Sequence, residues 1–588
     1  MKKKKEKQQE KVENKLVDIM NNDSMKLFSM LSLYFLLVLL IYTIFQFLNL
    51  NSLLSIVQIL SLIIPVIVYL LVNQNKKVKT KIITISLYLF LLLILPFIYT
   101  KTYDLTVDGN SYHKTAIAFI KNGWNPLYQT SKEFQEKNNE IIPFDEDTRI
   151  DLWIEHYPKA TWIVAATIYN MTGHIESGKC ITLIFTIMLF IITFNCLRKI
   201  LDKKWSFLIS VLVAFNPIVL AQFFSYYVDG LMGAFFFIQL ILLFMINPKE
   251  KVKNYYSVWL ALISTCAMFV NLKFTGLLCS GVIAAVFYFY WLIKNRKEKD
   301  FLDIFKRVTI PFVIVYVIAI FIVGSNSYVQ NTIQHINPLY PLIGKDKVDI
   351  VTTMQPKSFG DKNMIEKFTI SLFSRTENTT YEMDGPHLKL PIKLYRSEIG
   401  ELFAPDIRIG GFGPFFALIF LTSVVILTTA LVIFIKKEKQ NLKYVVLPTL
   451  AVLITCILVG ENWWARYVPQ LYLLPIGALV LSLYVSKYIN FKYIVIVPLG
   501  LMAIMALNTG CFAYINYRNV KTFNEINSDI KEMKKEKEFE LHLAAEKLYG
   551  YYYTLKDNGV NYKEIGEIED YRYMYNWRFM VENKWKNI

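Results

Sequence analysis

The sequence predicts an all-α polytopic membrane protein of about thirteen transmembrane helices, with interfacial helices and large outer loops. Three observations predict it. Apolar runs of about 17–25 residues recur along the chain, and a run of that length crosses a hydrocarbon core of about 30 Å. Of the 588 residues 54% are hydrophobic and only 19% are charged, against about 25% charged in a typical soluble domain. Lysine and arginine, finally, gather in alternate loops, which is how polytopic chains set their orientation.

The runs place spans at 25–48, 52–73, 82–100, 177–197, 205–222, 229–247, 255–271, 275–293, 308–324, 411–435, 443–460, 466–486 and 492–515. With the N-terminus inside, the inner loops are 1–24, 74–81, 198–204, 248–254, 294–307, 436–442 and 487–491. They carry KKVKTK, RKILDKK, KEKVK, KNRKEKDFLDIFKR and KKEKQ. The reading is a plasma-membrane protein with a cytoplasmic N-terminus and an extracytoplasmic C-terminus. The basic N-terminus leads into a first apolar run with no small-residue cleavage site after it, so that helix reads as retained. The chain divides into a basic segment (1–24), three first helices (25–100), a first outer loop (101–176), a membrane core (177–324), a second outer loop (325–410), four last helices (411–515) and an outer tail or small cap (516–588). An apolar stretch at 160–171 is too short to span and predicts an interfacial or re-entrant helix.

Net charge is +17, but its distribution over short loops speaks for topology and against a nucleic-acid patch. Cys180, Cys196, Cys266, Cys279, Cys456 and Cys511 lie in or beside apolar runs with no C-x-x-C spacing, and read as small buried hydrophobes. There is no phosphate-binding loop, Gly-rich nucleotide turn or His/Cys metal pattern.

The chemistry-bearing residues sit at the outer boundary. Asp104 and Asp108 follow the third span, with His113 close behind. A carboxylate there can serve as a general base for a hydroxyl, or Asp108-Gly109 can be an Asx-type turn. Tyr157 and Lys159 precede the short apolar helix, where Lys159 meets a phosphate or snorkels. Asp229 opens a helix and reads as a ligand or an N-cap. Lys273, Arg408 and Arg466 are cations at an outer boundary where topology does not call for them. They predict either phosphate binding or snorkelling.

The ordered set Asp108-Gly109-Asn110-Ser111-Tyr112-His113, Gly123-Trp124-Asn125-Pro126, His156-Tyr157-Pro158-Lys159, Thr172-Gly173, Asn216-Pro217, Tyr227-Val228-Asp229-Gly230, Lys273-Phe274-Thr275-Gly276, Asn337-Pro338-Leu339-Tyr340-Pro341 and Ala465-Arg466-Tyr467-Val468-Pro469 resembles bacterial GT-C glycosyltransferases, the superfamily of protein mannosyltransferases and aminoarabinose transferases. The likeness covers roughly residues 80–515, with the helices at 25–48 and 52–73 as an N-terminal addition. It implies a GT-C-like architecture and transfer of a sugar from a polyprenyl-phosphate donor to a glycan, lipid or protein acceptor at the outer face. It implies Asp108 as catalytic aspartate, with Asp104 as competitor. His113, Tyr157, Lys159, Asp229, Lys273, Arg408 and Arg466 become substrate-binding expectations. The resemblance implies no certain cofactor and leaves the acceptor and a divalent cation open, because Gly109 stands where protein mannosyltransferases carry Glu. Three other classes compete: an O-antigen-type polymerase or ligase using the late outer loop, a non-enzymatic lipid or polysaccharide transporter, which would more often show inverted repeats and broken midplane helices, and a structural or assembly membrane protein whose polar motifs serve as caps.

Reporter fusions after residues 78, 202, 297 and 438 are expected to read cytoplasm, and fusions within 110–150, 340–400 and beyond 530 the opposite side. Two reversed loops would overturn this orientation.

Overall fold

The computed structural model describes residues 18–138, 150–345, 347–348, 352–378, 380, 383–486, 496–535, 537, 539–544 and 548–568. Most of the basic N-terminal segment, the loop at 487–491 and the Tyr/Trp-rich end of the tail lie outside the described residues. The molecule is an all-α multi-pass integral membrane protein. Among the described residues eight helices are long and apolar enough to cross a bilayer: Asp23–Phe47, Leu54–Val72, Val78–Tyr99, Ile175–Leu197, Phe274–Asn295, Phe301–Asn326, Phe416–Lys437 and Ile496–Met533. Shorter apolar helices are Asp229–Met245, Tyr256–Val270, Lys443–Val459 and Pro469–Val485.

Side-chain partition explains how the helices sort. Leu54–Val72 buries Leu54, Val57, Gln58, Ser61, Pro65 and Tyr69, a stripe at helical spacing. It exposes Ile56, Ile59, Ile63, Ile67 and Leu71 on the other side. In a bilayer that exposed face is solvated by acyl chains. The buried Gln58 is not orphaned, because Tyr34 donates to its Oε1 at 3.0 Å. Asp229–Met245 buries nearly every residue and forms the centre, packing against the helices Cys180–Leu197 and Tyr256–Val270.

Two expected elements differ. The span at 205–222 is broken into Lys203–Ala214 and Pro217–Ala221. Asn216 caps the second piece, its Oδ1 accepting from Ile218 N at 3.1 Å and Val219 N at 3.2 Å, and Pro217 supplies the preset φ of a first turn. The short helix Ala160–Thr172 is buried along most of its length and is not interfacial. The two N-terminal helices, Asp23–Phe47 and Leu54–Val72, pack over it. It ends on Gly173 in the left-handed region at φ 71°.

The first outer loop is tied to the end of the first helical hairpin. Asn51 Nδ2 donates to the Gly123 and Trp124 carbonyls at 2.9 and 3.0 Å, and Asn125 Nδ2 donates to the Gln46 carbonyl at 3.0 Å. In the second loop, helix Met364–Leu372 starts with a capping box. Asn363 Oδ1 accepts from Ile365 N and Glu366 N, and Glu366 returns a bond from Asn363 N at 2.9 Å.

The last helix does not stop near 515. It runs as Ile496–Met533, because Phe523, Ile526, Ile530 and Met533 continue a buried stripe through the charged stretch. The tail then forms a small unit with strands that the sequence reading does not place: strand Phe539–Ala544, helix Gly550–Asp557 and strand Tyr562–Ile568, the strands parallel with an irregularity at Leu541/His542. A parallel pair needs a crossover, and the intervening helix is it. The unit clips to the first loop. Tyr169 Oη donates to Asp557 Oδ1 at 2.8 Å and Ile175 N donates to Oδ2 at 2.7 Å.

Burial raises the Asp557 carboxyl from 3.8 to about 6, against the hydrogen bonds from Ile175 and Tyr169. A raised carboxyl favours the docked state while protonated, so this contribution is fully present below about pH 4 and is lost as pH rises through about 6. Limited proteolysis of the 545–568 region is expected to slow as pH falls from 7 to 5, measured with a protease control for its own pH dependence. The Asp557→Asn chain should show no such change.

Candidate functional site

Arg466 is the meeting point of three segments distant in the sequence. It sits in a 3-10 turn, Ala465–Tyr467, ahead of the helix from Pro469. Gly233 of the central helix lies against this segment, where an added Cβ would come within 3.1 Å of Pro469 Cβ. That close approach sets Asp229, at the start of the same central helix, beside Arg466. Arg466 Nη1 lies 3.5 Å from Asp108 Oδ2 and 3.6 Å from Asp229 Oδ2, and Nε lies 2.7 Å from Asp406 Oδ1. Lys273 Nζ reaches Asp229 Oδ1 at 2.9 Å. Arg408 binds Asp406 Oδ2 through both Nε and Nη2, at 2.9 and 2.7 Å. The three boundary cations therefore converge, linked through Asp229 and Asp406.

Aromatic rings wall this cluster. The Arg466 guanidinium lies 4.8 Å from the Tyr227 ring centroid, 5.1 Å from Trp464 and 5.3 Å from Tyr467. Lys273 Nζ lies 4.3 Å from the Tyr467 ring, and Arg408 4.6 Å from Trp464. Rings exclude water while their faces attract the cations. Burial opposes the charge on Arg466, yet Asp406, Tyr467, Tyr227 and Asp229 carry its pKa well above the usual value, so it stays cationic. Its contacts are ion pairs more than aligned hydrogen bonds. Neither Arg466 Nε nor Asp406 Oδ1 has a hydrogen-bond partner among the described residues, despite their 2.7 Å approach.

The two first-loop aspartates have different surroundings. Asp104 is fully buried. Its Oδ1 accepts from Thr106 N at 2.9 Å and its Oδ2 from Tyr226 N at 2.7 Å. Burial raises its pKa, with Lys114 and Lys179 opposing. It is a fastener between the loop and the segment before Asp229. Asp108 keeps 30% of its side chain exposed and faces Arg466. Gly109 has a local cause as well: a Cβ there would fall inside contact distance of Asp104 Oδ2. A glutamate after Asp108, as in protein mannosyltransferases, has no room while Asp104 is buried beneath it.

Other expected ligands are engaged in structure. Lys159 is 1% exposed, and its Nζ donates to the carbonyls of Glu155, Tyr157 and Asn326 at 2.6, 2.8 and 3.3 Å. Burial lowers its pKa to about 7, with Glu155 opposing. It braces the loop through these three carbonyls. His113 is buried. Trp162 Nε1 donates to its Nδ1 at 2.7 Å, and burial, with Lys273 and Arg466 adding to it against Asp229, lowers its pKa to about 3. It is a neutral acceptor behind the site. Tyr157 packs edge-on to Tyr112 and Phe274 in the wall.

Sequence reasoning does not single out Asp406, whose role appears only when Arg408 and Arg466 meet on it. It also misses the support under Asp108. Glu176 takes ion pairs from Lys114 and Lys179, both completely enclosed. It also accepts from Asp104 N at 3.0 Å and from Thr554 Oγ1 at 2.8 Å. Lys114 further donates to Asn110 Oδ1 at 2.8 Å, and Asn110 Nδ2 donates to the Asp104 and Thr106 carbonyls at 2.9 and 2.8 Å. This network holds the turn that carries Asp108.

Arg466 is the cation shared by Asp108, Asp229 and Asp406, with Lys273 also on Asp229 and Arg408 also on Asp406. A divalent cation bound to all three would have to displace the guanidinium. No protein-family model matches this chain, and no curated protein matches it.

Removing one partner of a fully buried charge network leaves the others uncompensated, which costs about 3–5 kcal/mol. Glu176→Gln is therefore expected to lower the thermal unfolding midpoint of the purified protein clearly, with Thr554→Val intermediate. Equal midpoints for wild type and Glu176→Gln would refute the role of this hub.

Proposed function

We propose that this protein is a membrane glycosyltransferase that moves a sugar from a polyprenyl-phosphate donor to a glycan, lipid or protein acceptor at the extracytoplasmic face. The observation that carries the reading is the pairing of Asp108 with Arg466. A partly exposed carboxylate able to take a proton stands 3.5 Å from a buried, permanently charged guanidinium. The guanidinium lies among the rings of Tyr227, Trp464 and Tyr467. A transfer from a lipid phosphate needs both kinds of group in one site: a base for the acceptor hydroxyl and a cation for the departing phosphate.

The acceptor hydroxyl gives its proton to Asp108 as its oxygen attacks the anomeric carbon. The bond from that carbon to the phosphate oxygen breaks, and polyprenyl phosphate leaves with the bonding pair. Charge builds on the phosphate as it departs. Arg466 and Lys273 are the cations to meet it, because preorganised charge in a water-poor site stabilises such a leaving group most. Arg466 Nε makes no hydrogen bond to Asp406 despite their close approach, so its donor capacity is free for a phosphate oxygen. Arg408 is held by Asp406 and by Thr380 Oγ1 at 2.8 Å. It positions Asp406 and does not bind donor. Tyr227, Trp464 and Tyr467 offer faces for a sugar ring.

Asp108→Asn keeps the shape and loses the basicity. It is expected to lower transfer from a polyprenyl-phosphate sugar by about 10²–10⁴-fold, the usual worth of a general base, with thermal stability unchanged. Asp104→Asn is expected to lower stability first, because it weakens a buried fastener. Full transfer by Asp108→Asn in membranes would reject the assignment.

A further inference from the structure

The second outer loop carries an apolar ridge that the proposed chemistry does not use. Leu388, Leu390, Ile392 and Leu394 are 65%, 69%, 72% and 44% exposed. Four large aliphatic side chains at every second position would be a liability in water. The ridge is not a loose end. Lys389 N donates to the Phe373 carbonyl and Arg375 N to the His387 carbonyl, both at 2.9 Å, and Lys393 N closes a turn on the Leu390 carbonyl at 2.9 Å. Between the exposed residues, Lys389 points inward, paired with Glu398 and donating to the Pro414 carbonyl at 2.7 Å. The backbone is thus fixed with its apolar side chains outward.

Its place says what covers it. Pro414 lies two residues before the apolar helix Phe416–Lys437, so the ridge is anchored next to the start of a helix long and apolar enough to span a bilayer. The same helix exposes Leu421, Val424 and Val425 further along. Charge agrees with this placement. Arg375 and Lys393 lie on the Tyr395 ring at 3.7 and 4.6 Å, and Lys393 and Arg396 are exposed. Aliphatic side chains flanked by a tyrosine and basic groups are the composition of a membrane-surface anchor.

We infer that residues 388–396 dip into the interface of the bilayer leaflet on the site side, with Lys393, Arg375 and Arg396 against anionic lipid headgroups. The second outer loop is then a monotopic foot that rests on the membrane. The inference does not depend on the glycosyltransferase reading.

The full chain, with Cys196 and Cys511 replaced by serine, is labelled at Leu390→Cys or Ile392→Cys with an environment-sensitive fluorophore and placed in nanodiscs. The expected result is blue-shifted emission, strong quenching by lipids spin-labelled near the headgroup, and little quenching by aqueous iodide. Solvent-like emission quenched by iodide would overturn the inference. Shielding from both quenchers would overturn it too, since a second copy or another part of the chain would then cover the ridge. In nanodiscs of phosphatidylglycerol, Lys393→Glu should lower the docked-to-undocked ratio at least about fivefold, the equivalent of about 1 kcal/mol per cation lost. In phosphatidylcholine it should change little. An equal loss in both lipids would overturn the headgroup contact.

Discussion

The arrangement depends on keeping a guanidinium charged where little water reaches it. Arg466 manages this by standing among three carboxylates and three rings. The carboxylates come from the first loop, the central helix and the end of the second loop. An uncompensated charge at such a place would be expensive, so the cost of burying Arg466 holds these segments together. The same constraint explains why Lys273 and Arg408 break the charge asymmetry of the loops. Each neutralises a carboxylate that Arg466 has drawn inward.

A second buried charge cluster lies under the first. Glu176 compensates Lys114 and Lys179, and through Asp104 and Asn110 it fixes the turn before Asp108. The two clusters divide the work. The lower one is closed, with every member bonded, and acts as a foundation. The upper one is partly open at Asp108 and imperfectly aligned between Arg466 and Asp406.

The membrane helices are readable in the sequence because hydrophobic length is a local property, and so is the gathering of boundary cations. Asn216-Pro217 marks a break inside an apolar run, but hydropathy alone carries a span across it. Asp406 is unreadable for the opposite reason: beside Pro405 it looks like any turn residue, and its meaning lies in a partner sixty positions away. The two first-loop aspartates cannot be ranked from sequence either, because burial separates them and burial is set by Tyr226 and Glu176. The buried state of Ala160–Thr172 follows from helices much earlier in the chain. The strand–helix–strand tail hides because its mixed polar segments lack a long period of either kind.

The clip between the tail and the first loop joins positions nearly four hundred and forty residues apart, as in Lys114 with Thr554. A ribosome finishes the first loop long before it reaches residue 554. Until then Glu176 lacks one of its hydrogen-bonding partners, and the turn beneath Asp108 is incomplete. Contacts this distant in sequence form late. The recess around Arg466 therefore matures only after the final segment has been made and docked, so a truncated or unfinished chain would carry the helices without a settled site.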